Sequence, residues 1–215
     1  MDQRGRRGSP RPATGGLMSE QSEHLQALLA ELGSGSDERA QQALEHLAEQ
    51  GESVLPWLLR QLQSKQPDDR WWATAALSLI DHPRAREALR RSLKDPDPSV
   101  RQCAAFGLRR LPSEQAVPEL LEALADSDRL LARLAADALA ALGDAGLSPL
   151  TEALRNPNPA VRIEAARALA SMNDPAAIPP LFAALDDASP LVVHWAEQGL
   201  ERLGVGMTFF DPSKG

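Results

Sequence analysis

Apolar positions in this chain recur in one frame: a Leu, ten residues, an Ala, three residues and a Leu. The frame occurs six times, as Leu32/Ala43/Leu47, Leu62/Ala73/Leu77, Leu93/Ala104/Leu108, Leu124/Ala135/Leu139, Leu154/Ala165/Leu169 and Leu185/Ala196/Leu200. Successive frames lie 30 or 31 residues apart, and the one-residue variation falls between frames, never inside one. Four residues before each leading Leu stands another, at Leu28, Leu58, Leu89, Leu120, Leu150 and Leu181. That i, i+4 spacing puts both on one face of a first helix, and the Ala/Leu pair four apart marks the buried stripe of a second. Ala on that stripe lets two helices approach closely.

Turn formers separate the paired stripes: Gly33-Ser34-Gly35-Ser36-Asp37, Asp95-Pro96-Asp97-Pro98, Asn156-Pro157-Asn158-Pro159 and Asp187-Ala188-Ser189-Pro190. Asp, Asn and Ser there cap the next helix, and Pro suits its first turn. Pro56, Pro118, Pro149 and Pro179-Pro180 are expected to open first helices in the same way. A unit of about 30 residues cannot bury a core alone, so the units must stack on their neighbours. The predicted fold is all-α, with six helix pairs.

The run Asp95-Pro96-Asp97-Pro98-Ser99-Val100-Arg101-Gln102-Cys103-Ala104 returns with Asn for Asp at Asn156, Asn158, Val161, Arg162 and Ala165. This motif resembles HEAT repeats, most closely the short HEAT-like repeats named after phycobilisome lyases. The resemblance covers residues 19–204 and implies a right-handed α-α superhelix whose second helices line a concave side. It further implies that Arg70, Arg101 and Arg162 are structural, each bonding turn Asp residues between neighbouring repeats. The equivalent positions in repeats one, four and six are Ala40, Ala132 and Val193. The namesake also implies a bilin lyase subunit, or a chaperone-like protein for phycobiliproteins, as an alternative function.

Charge changes the picture at the ends. The net charge is -7, yet residues 1–17 carry Arg4, Arg6, Arg7 and Arg11 against Asp2 alone. Residues 1–18 read as a disordered basic arm: one that contacts an anionic partner, a passive linker, or a stretch preceding a true start at Met18. Residues 205–215 read as a capping tail, with Phe209 and Phe210 folding over the last repeat. An acidic body argues against nucleic acid, the second alternative, because phosphates call for a basic footprint. One cysteine, Cys103, forms no intramolecular disulfide and fits a reducing compartment. No run approaches a membrane span and no apolar segment follows the N-terminal arginines, so a cytoplasmic monomer is expected.

Carrying the second-helix face along the chain gives three rows. They are Gln41, Trp71, Gln102, Arg133, Ile163 and His194; then Glu45, Ala75, Phe106, Asp137, Arg167 and Gln198; then Ala48, Ser78, Arg109, Ala140, Ala170 and Glu201. Large apolar groups beside arginines make binding hot spots. The candidate partner-binding set is therefore Trp71, Phe106, Arg109, Arg110, Arg133, Ile163, Arg167 and His194. Trp57 is assigned to the core, and Trp72 and Trp195 to packing at the Cys103 position.

Chemistry finds little foothold. His24, His46, His82 and His194 fall on different helix faces with no i, i+4 pair and no following Glu. HEAT-like di-iron hydroxylases resemble this fold but carry repeated His-Glu pairs, which are missing. There is no phosphate loop, no Gly-x-Gly-x-x-Gly and no Gly-x-Ser-x-Gly elbow. The expectation is a non-catalytic scaffold or adaptor without metal or cofactor, binding an unidentified protein.

Overall fold

The computed structural model describes residues 23–28 and 30–205. The chain divides into two compact units, Met1–Leu47 and Ala48–Gly215. The expected basic arm (1–18) and most of the expected capping tail (206–215) lie outside the described residues.

In the first unit, α1 (residues 23–28 and 30–32) is followed by α2 (Asp37–Glu49), which runs on into the second unit. Leu25, Leu28 and Leu32 of α1 and Ala43 and Leu47 of α2 are buried. A positive φ at Gly35 lets the connecting turn reverse.

The second unit holds five further pairs: α3 (Leu55–Gln61) with α4 (Pro67–Leu77), α5 (Pro83–Ser92) with α6 (Pro98–Arg110), and α7 (Val117–Leu124) with α8 (Arg129–Ala140). Then come α9 (Asp144–Ala153) with α10 (Pro159–Ser171) and α11 (Ile178–Ala184) with α12 (Pro190–Arg202). In these five pairs each second helix packs on its own first helix, and α4, α6, α8 and α10 each pack on the second helix of the next pair. The described chain is all-α. All six frame alanines are at most 2 % exposed, so a methyl is the largest group these close approaches admit. The second-helix leucines are buried throughout, each stabilising the stack by about 1.5–3 kcal/mol. Of the first-helix frame leucines, Leu62, Leu154 and Leu185 are only half-buried.

Every connecting turn hangs on one side-chain acceptor at a common register. Ser34 Oγ accepts from the Ser36 N–H at 3.4 Å and Ser64 Oγ from Gln66 at 3.2 Å. Asp95, Asp126, Asn156 and Asp187 each accept, through Oδ1, the N–H two residues on at 2.7–2.9 Å. Helix caps follow two residues later. Asp97 Oδ1 takes the Ser99 and Val100 N–H groups, Asp128 those of Leu130 and Leu131, and Asn158 that of Ala160. Ser189 makes no side-chain cap, against the sequence expectation.

Pro149 also departs from its expected place. Short 3-10 turns precede α3, α7 and α11, so Pro56, Pro118 and Pro179 stand in the first turn. In repeat five α9 starts at Asp144, and Pro149 lies inside the helix. Two glycines account for the early start. Gly143 takes a positive φ, and Gly146 comes so close to the Leu139 carbonyl that a Cβ would collide with it.

Candidate interaction surface

Within the second unit, arginines at the turns link one repeat to the next. Arg70 Nη1 donates to the Ser64 carbonyl of its own turn at 3.1 Å. Its Nε and Nη2 grip both oxygens of Asp95, one repeat on, at 2.8 Å each. Arg162 repeats the arrangement, with Nη1 on the Asn156 carbonyl and a fork on Asp187 at 2.8 and 3.0 Å. The fork onto Arg162 holds the Asp187 carboxyl below its ordinary range. Burial works to raise Asp95, but the Arg70 fork and the Asp97 N–H hold it low.

Arg101 breaks the series. Its Nη1 binds the Asp95 and Pro96 carbonyls of its own turn, and its buried Nε has no partner. No ion pair joins it to Asp126, which the resemblance implied. Gln102 Nε2 instead donates to Asp128 Oδ2 at 2.7 Å, spanning the same junction from the neighbouring position. Burial works to raise the Asp128 carboxyl, but the Leu131 N–H, Gln102 and the Leu130 N–H hold it low.

The predicted face separates into distinct environments. Trp71 is half-buried, its ring set edge-on to Trp72 with centroids 4.5 Å apart. Ile163 is half-buried in a small recess with Leu124, Arg129 and Glu164. His194 is exposed, 5.3 Å from the Trp195 ring. Ser78 and Ala170, in the third row, are buried. Arg167 does not offer a free cation: it donates to Asp137 and Glu164 at 2.7 Å and to the Arg133 carbonyl at 3.2 Å, with only 12 % of its side chain exposed. Of the carboxylates that absorb it, Asp137 is its neighbour in the same row and Glu164 stands one turn back on α10, outside the rows.

Phe106 stands out from the rest. It is 51 % exposed at the centre of α6, followed one turn later by Arg109 and Arg110, both exposed. On α8, Leu130 is equally exposed, between Arg129 and Arg133. Leu130 was not among the sequence candidates, because the rows began one turn too late to include the first residues of each second helix. Among the described residues no ion pair or side-chain hydrogen bond engages Arg109, Arg110, Arg129 or Arg133.

On the first-helix side, a cleft of about 700 Å³ opens between α3 and α5, lined by Leu59, Leu62, Pro83, Arg84, Glu87 and Arg91. Glu87 is held at about 2 by hydrogen bonds from Arg90 and Arg91. Cys103 packs beneath the Trp71 carbonyl, and burial pushes its thiol up to about 12, so it is no nucleophile at neutral pH. Among the described residues no three His, Cys, Asp or Glu side chains converge as a metal site would require. No described helix is long and apolar enough to cross a membrane.

Known proteins share this architecture. The uncharacterized phycocyanin operon protein Z of Pseudanabaena tenuis (strain PCC 7409) is 33% identical over 115 residues, 49% of this chain and 57% of that protein. The chain thus spans a little over half the length of that curated relative. In the complex of CpcE and CpcF of phycocyanin lyase from Nostoc sp. PCC7120, a chain superposes with a TM-score of 0.57 at 26% identity, over 68% of this chain and 98% of its own. YibA of E. coli matches with a TM-score of 0.56 at 18% identity, over 92% of this chain and 80% of its own, a likeness of fold alone. HEAT repeats match at residues 25–109, 92–154 and 117–201, nearly the whole described chain. With the frame, the turn acceptors and the stacked second helices, those matches place this chain in the HEAT-repeat family.

Proposed function

We propose that this chain is a non-catalytic scaffold that binds a partner protein on its second-helix face, with the six repeats over 19–204 acting as one solenoid in a reducing compartment. One observation carries the reading: Phe106 and Leu130 stand half in solvent among arginines that the fold leaves unpaired. Arginine beside a large apolar side chain is the composition of an interface anchor, and a fold with no internal use for either gains nothing by exposing both. Trp71 supports the rim of that face, while Arg70 and Arg162 hold the repeats in phase. The test is affinity capture from the native host with wild type beside Trp71→Ala/Phe106→Ala, both checked for helicity by circular dichroism. Partners recovered by wild type and lost by the variant support the reading. The same proteins on both would remove it.

A second reading is favoured by the relatives: a subunit of a bilin lyase, or a protein that attends phycobiliproteins. A chain of the Nostoc lyase complex shares the fold at 26% identity, and the phycocyanin operon protein is 33% identical over 115 residues. Co-expression with a phycobiliprotein subunit and a bilin would separate the two, since lyase activity leaves a coloured covalent adduct and a scaffold does not.

A further inference from the structure

We propose that the partner presents an acidic segment carrying one or two large apolar side chains, and that α6 and α8 read it through Arg109, Arg110, Arg129 and Arg133 around Phe106 and Leu130. The inference rests on the protein-binding reading above and narrows it from the whole second-helix face to the third and fourth repeats.

Charge bookkeeping across the described surface points there. The chain as a whole is acidic, at -7, and half of its described arginines hold carboxylates, Arg39 with Glu31 among them. Arg70, Arg86, Arg90, Arg91, Arg155, Arg162 and Arg167 all hold carboxylates. The four on α6 and α8 are exposed and hold none, so they form a basic island on an acidic protein. An island of unpaired like charge is self-repelling and is relieved by an anionic partner.

Register places the four together. The Gln102–Asp128 bond ties the second turn of α6 to the N-cap of α8. By the 31-residue frame Gln102 stands level with Arg133, its side chain reaching back to Asp128; Arg129 and Leu130 precede them, Phe106 follows a turn further, and Arg109 and Arg110 come last. At 1.5 Å per residue the patch runs roughly 18 Å along the helices, the length of five or six extended residues. Two apolar anchors within a fork of guanidiniums suit carboxylates alternating with Leu- or Phe-like groups.

The same surface disfavours a nucleic acid. A phosphate backbone continuing along the face would meet Asp68 in α4 and Glu201 in α12, both exposed. Leu130 offers a base no stacking plane.

Selection of 15-residue peptides from a random displayed library, on immobilised full-length protein, tests this directly. The expected result is enrichment of peptides rich in Asp and Glu with one or two large apolar residues, whose affinity falls as salt rises. Binding should drop at least tenfold for Arg109→Glu/Arg133→Glu and for Phe106→Ala. It should be unchanged for Arg60→Glu/Arg84→Glu, unpaired exposed arginines on the first-helix side. Enriched peptides without acidic bias that still depend on Phe106 would overturn the acidic partner while leaving the protein-binding face in place. Peptides indifferent to Phe106 would overturn both. An empty selection, or a 20-nucleotide uridine RNA that binds wild type more tightly than the best peptide, would overturn the acidic-segment proposal.

Discussion

Arg70→Met should destabilise the fold by about 3 kcal/mol, and the geometry says why. The guanidinium forks onto Asp95 through two 2.8 Å bonds, with only 11 % and 10 % of the two side chains exposed. Unit charges about 4 Å apart at an effective dielectric near 20 attract by about 4 kcal/mol, and desolvation of both ions offsets part of that. Removing the cation leaves the carboxylate sheltered with the Asp97 N–H as its remaining strong donor. The Ser64 and Lys65 carbonyls also lose their donor, which adds about 1 kcal/mol. In a double-mutant cycle with Asp95→Asn the two groups should couple by about 2 kcal/mol. Arg101→Met is the internal control: with carbonyl contacts and no carboxylate, it should lose only about 1 kcal/mol. Urea unfolding followed by circular dichroism at pH 7 measures all five proteins. Because Asp95 titrates below its unfolded value of about 3.9, the clasp contributes fully above that pH. Its contribution is lost as pH falls through the lower folded value. The gap between wild type and Arg70→Met should therefore shrink in acid. Equal losses for Arg70→Met and Arg101→Met, or a coupling below about 0.5 kcal/mol, would refute the argument.

Three further outcomes follow from the packing. Ala in place of Gly146 should destabilise by more than about 3 kcal/mol, because its Cβ meets the Leu139 carbonyl rather than a movable side chain. Gly199→Ala should destabilise by about 1–2 kcal/mol, its methyl falling 2.7 Å from Leu181 Cδ1 and 2.9 Å from Ala170 Cα. Gly107→Ala should be nearly neutral, since Leu89 Cδ2 and Ser78 Cβ stand 3.0 Å away and helix propensity returns about 1 kcal/mol; urea midpoints out of that order contradict the packing described. The Cys103 thiol should resist iodoacetamide at pH 8 in the native protein and react once it is unfolded, a difference that mass spectrometry reads directly. Deleting the Gln102 amide by Gln102→Ala should loosen the α6–α8 junction by about 1–2 kcal/mol, visible as faster hydrogen exchange at the Leu130 and Leu131 N–H groups.

Much of the architecture was legible because one spacing dictates it. Leu and Ala at fixed offsets allow only one way to bury both stripes, so the helix pairs and their order follow from pattern alone. Side-chain pairing was legible only in part. Arg70, Arg101 and Arg162 occupy one position, yet two reach a carboxylate and one does not, a difference set by local geometry that no pattern encodes. Arg167 looked free because its row was read one position at a time, whereas Asp137 reaches it from α8 once the helices are side by side and Glu164 from one turn back on its own helix. Pro149 read as a helix start because Pro usually is one, while the signal that moved the start was the pair Gly143 and Gly146. Phe106 was legible from its row; its companion Leu130 was not, because the rows did not reach the first turn.

The turn acceptors bear on how this chain could be shortened or lengthened. Each junction takes its cation position from one repeat and its acceptor from the next, so splicing re-pairs both. Excising repeat three in phase would bring Arg70 to Asp126, a carboxylate for a carboxylate. Excising repeat four would set Arg101 against Asn156, and excising repeat five would set Ala132 against Asp187, an acid with no cation to meet it. Ala132 and the Asn156 that follows it are uncharged as a couple, one from each side of a single seam. The unit that duplication or deletion must respect is therefore the seam, which straddles two helix pairs, and not the pair itself.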